Sequence, residues 1–258
     1  MVKGLYTAYT GMMNEQHRMD ILTNNLANSA TTGFKKEGAT AQAFDDVLGY
    51  KIKDTSEYNI PKKMGTLHMG VKIGEGYTDY AQGSFRATGN TFDMALSGNG
   101  FFTIEFTNKA GEVSVKYGRD GSFTLNEAGY LVTKDGDFVL DAAGNHIHLD
   151  PLHEASVDRM GNIYQNNEQV AQLQITDFTD YNYLEKYGEN LYQTVPGATE
   201  QPANAKVYSG YLEASNVQVV SEMVELINVT RAYEANQKIV QAMDDSLDKA
   251  VNNVGILA

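Results

Sequence analysis

The chain has 258 residues, 42% of them hydrophobic, which is enough apolar material to bury a core. A formal net charge of -13 excludes a general binder of phosphate backbones, because that affinity comes from clustered Lys and Arg releasing counterions, so no nucleic-acid partner is expected. With no cysteine, disulfides, thiolate metal sites and thiol catalysis are excluded as well.

The first residues carry one early lysine and then polar side chains every few positions, so no cleavable secretory signal is expected there. No run approaches the roughly 18 continuous apolar residues of a membrane-spanning helix, and membrane insertion is not expected. From about Lys3 to Ala27, Leu5, Met12, Met19 and Leu26 recur at heptad spacing, with Ala8 and Leu22 offset by three. This predicts a helix with a coiled-coil-like stripe, interrupted by Glu15 and weakened by Gly11. Between Ser29 and Thr91 the pattern is weak and rich in Gly, Thr and charge, as in extended or strand-like connecting structure.

A short repeat follows. Asp120, Gly121, Phe123, Leu125, Asn126, Ala128 and Gly129 return as Asp135, Gly136, Phe138, Leu140, Asp141, Ala143 and Gly144. Each copy reads as turn, alternating strand and turn, since the Gly steps favour positive φ and the Phe and Leu share a strand face. Val170 to Ile175 alternates in the same way, and residues 92–205 read as an antiparallel β domain.

Ser215 with Gln218 three residues later has the form of a capping box. It predicts a helix from Asn216 to about Asn253, roughly 55 Å long, with Gly255 as its stop. The stripe of that helix is Val217, Val220, Val224, Ile227, Ala235, Ile239, Met243, Leu247 and Val254, broken by Arg231. Neither terminal helix buries its stripe alone, so each needs the other or a neighbour. Periodicity leaves an intramolecular hairpin and an assembly interface equally open.

Candidate chemistry is sparse. His146, His148 and His153 lie close together, but no acidic or thiolate ligand completes a zinc spacing. Asp45-Asp46 and Asp244-Asp245 are adjacent pairs that diverge on a helix. Asp135-Gly136-Asp137 with Asp141 lacks the terminal Glu of a calcium loop, and Ser97-Gly98-Asn99-Gly100 lacks the ending of a phosphate loop; a tight turn before Phe101 and Phe102 accounts for it. The sixteen tyrosines are scattered through every zone, which leaves carbohydrate binding as a minor reading. No catalytic, cofactor-binding or metal residue is expected.

The segment Thr10-Gly11-Met12-Met13, Met19 to Asn28, and Thr31-Thr32-Gly33-Phe34-Lys35 resembles the N-terminal signature of flagellar rod and hook proteins. Three more stretches resemble that family in the same order: Gly89 to Leu96 with Gly98 to Phe102; Gly118 to Phe123; and Leu212 to Val217 with Arg231 to Asn236. The resemblance implies an α+β fold in which N- and C-terminal helices pair as a coiled coil and a central antiparallel β domain lies between them in the chain. The implied divisions are residues 1–28, a connecting region 29–91, the β domain 92–205, and 206–258. It further implies a non-enzymatic basal-body subunit that polymerises with itself into a hollow helical tube, meets other rod and hook subunits, and is exported by the flagellar type III apparatus to the cell envelope. The interface expected on these grounds comprises Leu5, Met12, Met19, Leu22, Asn25, Leu26 and Asn28 in the first part, with Val217, Val220, Val224, Ile227, Ala235, Ile239, Met243 and Leu247 in the last. Chain length and the stretch from Ile52 to Met69 lean toward distal-rod members, with proximal-rod or hook-like subunits and a secreted carbohydrate-binding adhesive protein as alternatives.

Overall fold

The structure is a computed structural model that describes residues 2–44, 47–50, 63–67, 70–109, 111–188 and 190–254. Asp45, Asp46, Gly255 and most of the stretch from Ile52 to Met69 lie outside the described residues. Two compact units form, one from residues 1–27, 37–79 and 218–258, the other from 28–36 and 80–217. No helix among the described residues is long and apolar enough to cross a membrane.

In the first unit, helix α1 (Val2–Ala27) packs antiparallel against helix α2 (Val219–Lys249). Gly4 lies against the Met243 side chain, Gly11 against Asn236, and Asn25 reaches Glu222. The less exposed positions of α1 facing this seam are Gly4, Ala8, Gly11, Glu15, Arg18, Leu22 and Asn25. Those of α2 are Glu222, Leu226, Val229, Tyr233, Asn236, Val240, Met243 and Leu247. Both sets step alternately by three and four, which keeps one face of each helix on its partner. Small residues on α1 admit the longer side chains of α2. A ribbon of Glu37–Ala43 paired with Val71–Thr78 packs on another flank of α1, where Gly70 sits beside Thr10. A second ribbon pairs Val47–Tyr50 with Lys63–Leu67.

The start of α2 differs from the predicted capping box. Gln218 is the N-cap and makes no side-chain cap bond, while the Ser215 hydroxyl accepts the Val217 N–H at 3.2 Å. The serine is consumed by a local turn three residues before the N-cap, too early to serve the helix. At the other end α2 widens into a π turn over Ala250–Val254, so the regular helix is about 46 Å long.

The second unit is antiparallel β. Its main sheet runs Leu184–Tyr187, Leu191–Thr194, Val113–Gly118, Phe101–Thr107, Phe138–Val139, Leu131–Thr133 and Phe123–Leu125. Ile175–Phe178 joins through Phe101 and Phe102 and carries Glu200–Pro202. Ala155–Val157, Asn162–Gln165 and Glu168–Gln172 form a smaller sheet, and Met94–Ser97 pairs with Lys206–Ser209. Adjacent Phe101 and Phe102 point to opposite faces of one strand. Phe102 enters a core with Met94, Leu96, Phe123, Leu131 and Leu149; Phe101 enters an aromatic cluster with Tyr117, Phe178 and Tyr192. The alternation from Val170 to Ile175 is not one strand, because Leu173 bridges to Asp141 and Gln174 donates to Leu140, which divides the run between two sheets.

Three of the four predicted turns, and two further ones at Asn108 and Asp158, take a single form. At Asn108, Asn126, Thr133, Asp141 and Asp158 the residue's N–H donates to the carbonyl four positions on, and its own carbonyl accepts from a glycine N–H three positions on. Those glycines, 111, 129, 136, 144 and 161, have φ between 80° and 94°. This is the hairpin turn closed by a left-handed bulge residue. Gly121 departs from its repeat partner Gly136. Its φ is not positive, and a Cβ there would meet the Met94 carbonyl, so close approach selects it instead.

Gly129→Ala and Gly144→Ala separate the two demands. Both would adopt a left-handed conformation at about 1 kcal/mol, but an added Cβ at 129 falls 2.5 Å from the Leu149 carbonyl while at 144 it meets nothing. Urea melts are expected to show a clearly larger loss for Gly129→Ala.

Candidate assembly interface

The family-like segments fold into two polar clusters, one in each unit. In the β unit, Lys35 Nζ lies 2.6 Å from Glu213 Oε1, with both side chains about 1% exposed. Arg119 Nη1 reaches the other oxygen of Glu213 at 3.3 Å. Two cations therefore share one buried carboxylate. Lys35 also donates to the Ala81 carbonyl (2.9 Å) and Arg119 to the Gly98 carbonyl (2.8 Å), and the Gly83 N–H donates to Glu213 Oε1 (2.9 Å). Such a cluster is tolerated in a low-dielectric interior because its charges are hydrogen-bonded as well as paired. Gly33 crosses this site with φ of 68° and donates its N–H to the Glu213 carbonyl. A Cβ on Gly33 would stand 2.5 Å from the backbone of Arg119 and Asp120. Next to it the Thr32 hydroxyl donates to Asp120 at 2.8 Å.

In the helical unit Asn25 does the corresponding work. Its Oδ1 accepts the Glu37 N–H at 2.9 Å and its Nδ2 donates to the Glu37 carbonyl at 2.8 Å, so one side chain pairs with the strand backbone as a neighbouring strand would. The same Nδ2 reaches Glu222 Oε2 at 3.4 Å, and Glu222 is 1% exposed. Arg18 bridges Glu15 (3.3 Å) and Glu225 (2.9 Å) across the helix pair. Polar groups paired inside a packed seam penalise registers that would leave them unpaired.

The expected interface residues separate into three groups. Leu22 and Asn25 are buried, and Leu5, Met12, Met19 and Leu26 half-buried, along α1; Met243 and Leu247 are half-buried on the seam of α2. Asn28 and Val217 are buried in the β unit, where Asn28 accepts the Thr31 N–H and hydroxyl in a turn. Val220, Val224, Ile227, Ala235 and Ile239 are exposed, Val220 by 77%. They lie on the side of α2 turned away from α1, because the seam is taken by Glu222, Val229, Tyr233 and Asn236. Tyr6, Tyr9 and Met13 of α1, absent from the predicted stripe, are also exposed. Beside Glu15 and Arg18 runs a groove of about 790 Å³ lined by Val220, Val224 and Asn228.

His146 and His148 both pack against the Tyr130 ring. His146 Nε2 lies 2.9 Å from Glu105 and stacks on Phe138, whereas His153 Nδ1 lies 2.9 Å from Asp150. The Asp150 carboxyl is held below its usual range, first by the Leu152 N–H and then by His153. Among the described residues no group of three or more His, Cys, Asp or Glu is placed to hold a metal ion.

Helices from the two chain ends closed into one unit, with a β unit built from residues between, define an α+β protein whose terminal helices carry outward apolar faces. Three family models match in chain order: the flagella basal body rod protein over residues 5–35, the flagellar hook protein FlgE/F/G D1 domain over 95–176, and the flagellar basal body rod FlgEFG protein C-terminal over 208–253. Relatives match end to end. The chain is 35% identical to the flagellar basal-body rod protein FlgF of Caulobacter vibrioides, covering 99% of each. It is 32% identical to the flagellar hook-basal body complex protein FlhO of Bacillus subtilis, again covering 99% of each, and 31% identical to FlgG of the same organism, covering 98% of this chain and 99% of the relative. The chain belongs to the flagellar basal-body rod protein family and is a structural subunit of the rod.

Glu213→Ala removes a carboxylate in contact with two buried cations and is expected to destabilise the β unit by about 3 to 5 kcal/mol. Denaturant melts followed by far-UV circular dichroism check the size of that loss.

Proposed function

We propose that the chain polymerises with itself into a hollow helical tube, the helices forming a coiled coil on its inner layer, and that this tube transmits torque and passes exported subunits. On this reading the monomer reaches the cell envelope through the flagellar type III apparatus and meets other rod and hook subunits at the ends of its segment. The observation that carries the proposal is the apolar stripe of Val220, Val224 and Ile227 on the outside of the helix pair. The intramolecular seam is already filled, so these side chains are left for a neighbour. A contact made by unlike faces of the same chain does not close on two copies and propagates as a ring or an open helix.

Within the rod we assign the chain to the distal segment, on its length and the stretch between Ile52 and Met69. A specific observation favours a different rod segment as the second reading: relatives named FlgF are as similar to the chain as those named FlgG.

Ile227→Asp tests the assembly role. Ile227 is 52% exposed, so the isolated monomer should melt within about 0.5 kcal/mol of the parent while losing polymerisation and motility. Leu22→Asp, at a buried position, should unfold the helical unit instead. Normal assembly by Ile227→Asp would remove the stripe from the interface. Electron microscopy of basal bodies from a strain lacking the chain addresses the segment: a short rod stub without a hook is expected, and loss of everything beyond the export base would assign the chain to the proximal end.

A further inference from the structure

Two exposed apolar faces on the helical unit match each other. On α2, Val220, Met223, Val224 and Ile227 are 77%, 47%, 54% and 52% exposed. On α1, Tyr6, Tyr9 and Met13 are 57%, 51% and 41% exposed. At 100° per residue each set lies about half a turn from its own seam, so the helix pair is a two-layer slab with an apolar strip on both outer surfaces. The spacings are mirror images. Steps of three and four from Tyr6 to Tyr9 to Met13 are met by steps of three and four from Ile227 back to Val224 and Val220.

Resting on the assembly reading above, we infer that Tyr6, Tyr9 and Met13 of one copy pack antiparallel against Ile227, Val224 and Val220 of the next. This is the relative direction the two helices already have within one copy, so copies that share a polar axis can make the contact. Within one copy Gly11 stands opposite Asn236; in the contact Tyr9 stands opposite Val224. Successive copies are then displaced along the helix axis by about 14 residues, or about 21 Å.

The occupant is a second copy for two reasons. Both halves of the contact lie on this chain, in matching register. The area also suits a repeated contact: the seven side chains together expose on the order of 800 Å², below the about 1,200 Å² that a stable isolated pair buries. A strip of this size holds when each copy makes the contact on both sides.

The absence of native cysteine makes the register directly measurable. Two single-cysteine variants, Tyr9→Cys and Val224→Cys, are co-expressed in a strain lacking the native chain, and isolated basal bodies are treated with a short bis-maleimide. A cross-linked dimer joining the two positions is expected, confirmed by mass spectrometry of the linked peptides. Tyr6→Cys with Ile227→Cys is the second in-register pair, which serves if either first variant fails to restore motility. Tyr6→Cys with Val220→Cys, displaced by seven residues, should give at least tenfold less product. Basal bodies that contain the chain but link only the displaced pair, or neither pair, would overturn this contact and leave rod assembly standing. A stripe reserved for a different axial protein would give that second result. Absence of the chain from basal bodies would sink the assembly reading, and the contact with it.

Discussion

The structure of the helical unit depends on a steric asymmetry at one seam. α1 offers Gly4 and Gly11, and α2 answers with Met243 and Asn236. Small against large lets the backbones approach, and the pairing of Asn25 with Glu222 and the Glu37 backbone then selects one register. Once that face of α2 is occupied, Val220, Val224 and Ile227 have only solvent or another molecule to face. The outward apolar stripe is a consequence of which face of α2 the seam occupies.

The β unit solves a related problem with charge. Glu213 is a carboxylate shared by Lys35 and Arg119, residues from three distant parts of the chain, and the carbonyls of Ala81 and Gly98 each take a further donor, while Arg119 Nε is buried without a hydrogen-bond partner. A buried ionic cluster adds little net stability over an apolar equivalent, but it strongly disfavours any arrangement that leaves one member alone. Its effect is therefore on uniqueness: segments 28–36, 118–122 and 211–216 can meet in one way. Gly33, with its left-handed backbone against Arg119, carries the same constraint in steric form. The residues that made the sequence resemble rod proteins are thus largely those that lock the two units internally.

What could be read from sequence follows from how local each feature is. The hairpin turns were legible because a single glycine three residues after Asn, Asp or Thr specifies them, as at Asn126 and Asp141. Both helices were legible from apolar periodicity. The side of α2 that faces α1 was not, since Val220, Val224 and Ile227 form a better apolar stripe than Glu222, Val229 and Asn236, and hydrophobicity does not distinguish a partner within the chain from one outside it. A glycine at a seam carries no apolar signal at all. Strand order was equally hidden: Phe101–Thr107 pairs with strands on both sides whose sequence separation ranges from a few residues to more than seventy. The split of the run from Val170 to Ile175 came from Leu173 finding Asp141, a long-range pairing that alternation cannot encode.

Charge and stripe together fit a subunit that must remain separate before it assembles. A net charge of -13 opposes chance association of monomers, and the apolar strips at Tyr9 and Val224 are too narrow to hold two copies together by themselves. Under the proposed contact, a copy joining the end of a growing segment brings several weak surfaces into place at once, and the second and later contacts then form at high effective concentration. A wider stripe would overcome the charge in free solution and aggregate the monomer; a narrower one would not hold the tube. On that proposal the exposed area on the helix pair must lie between those limits, which is the energetic condition for growth at an end without association elsewhere.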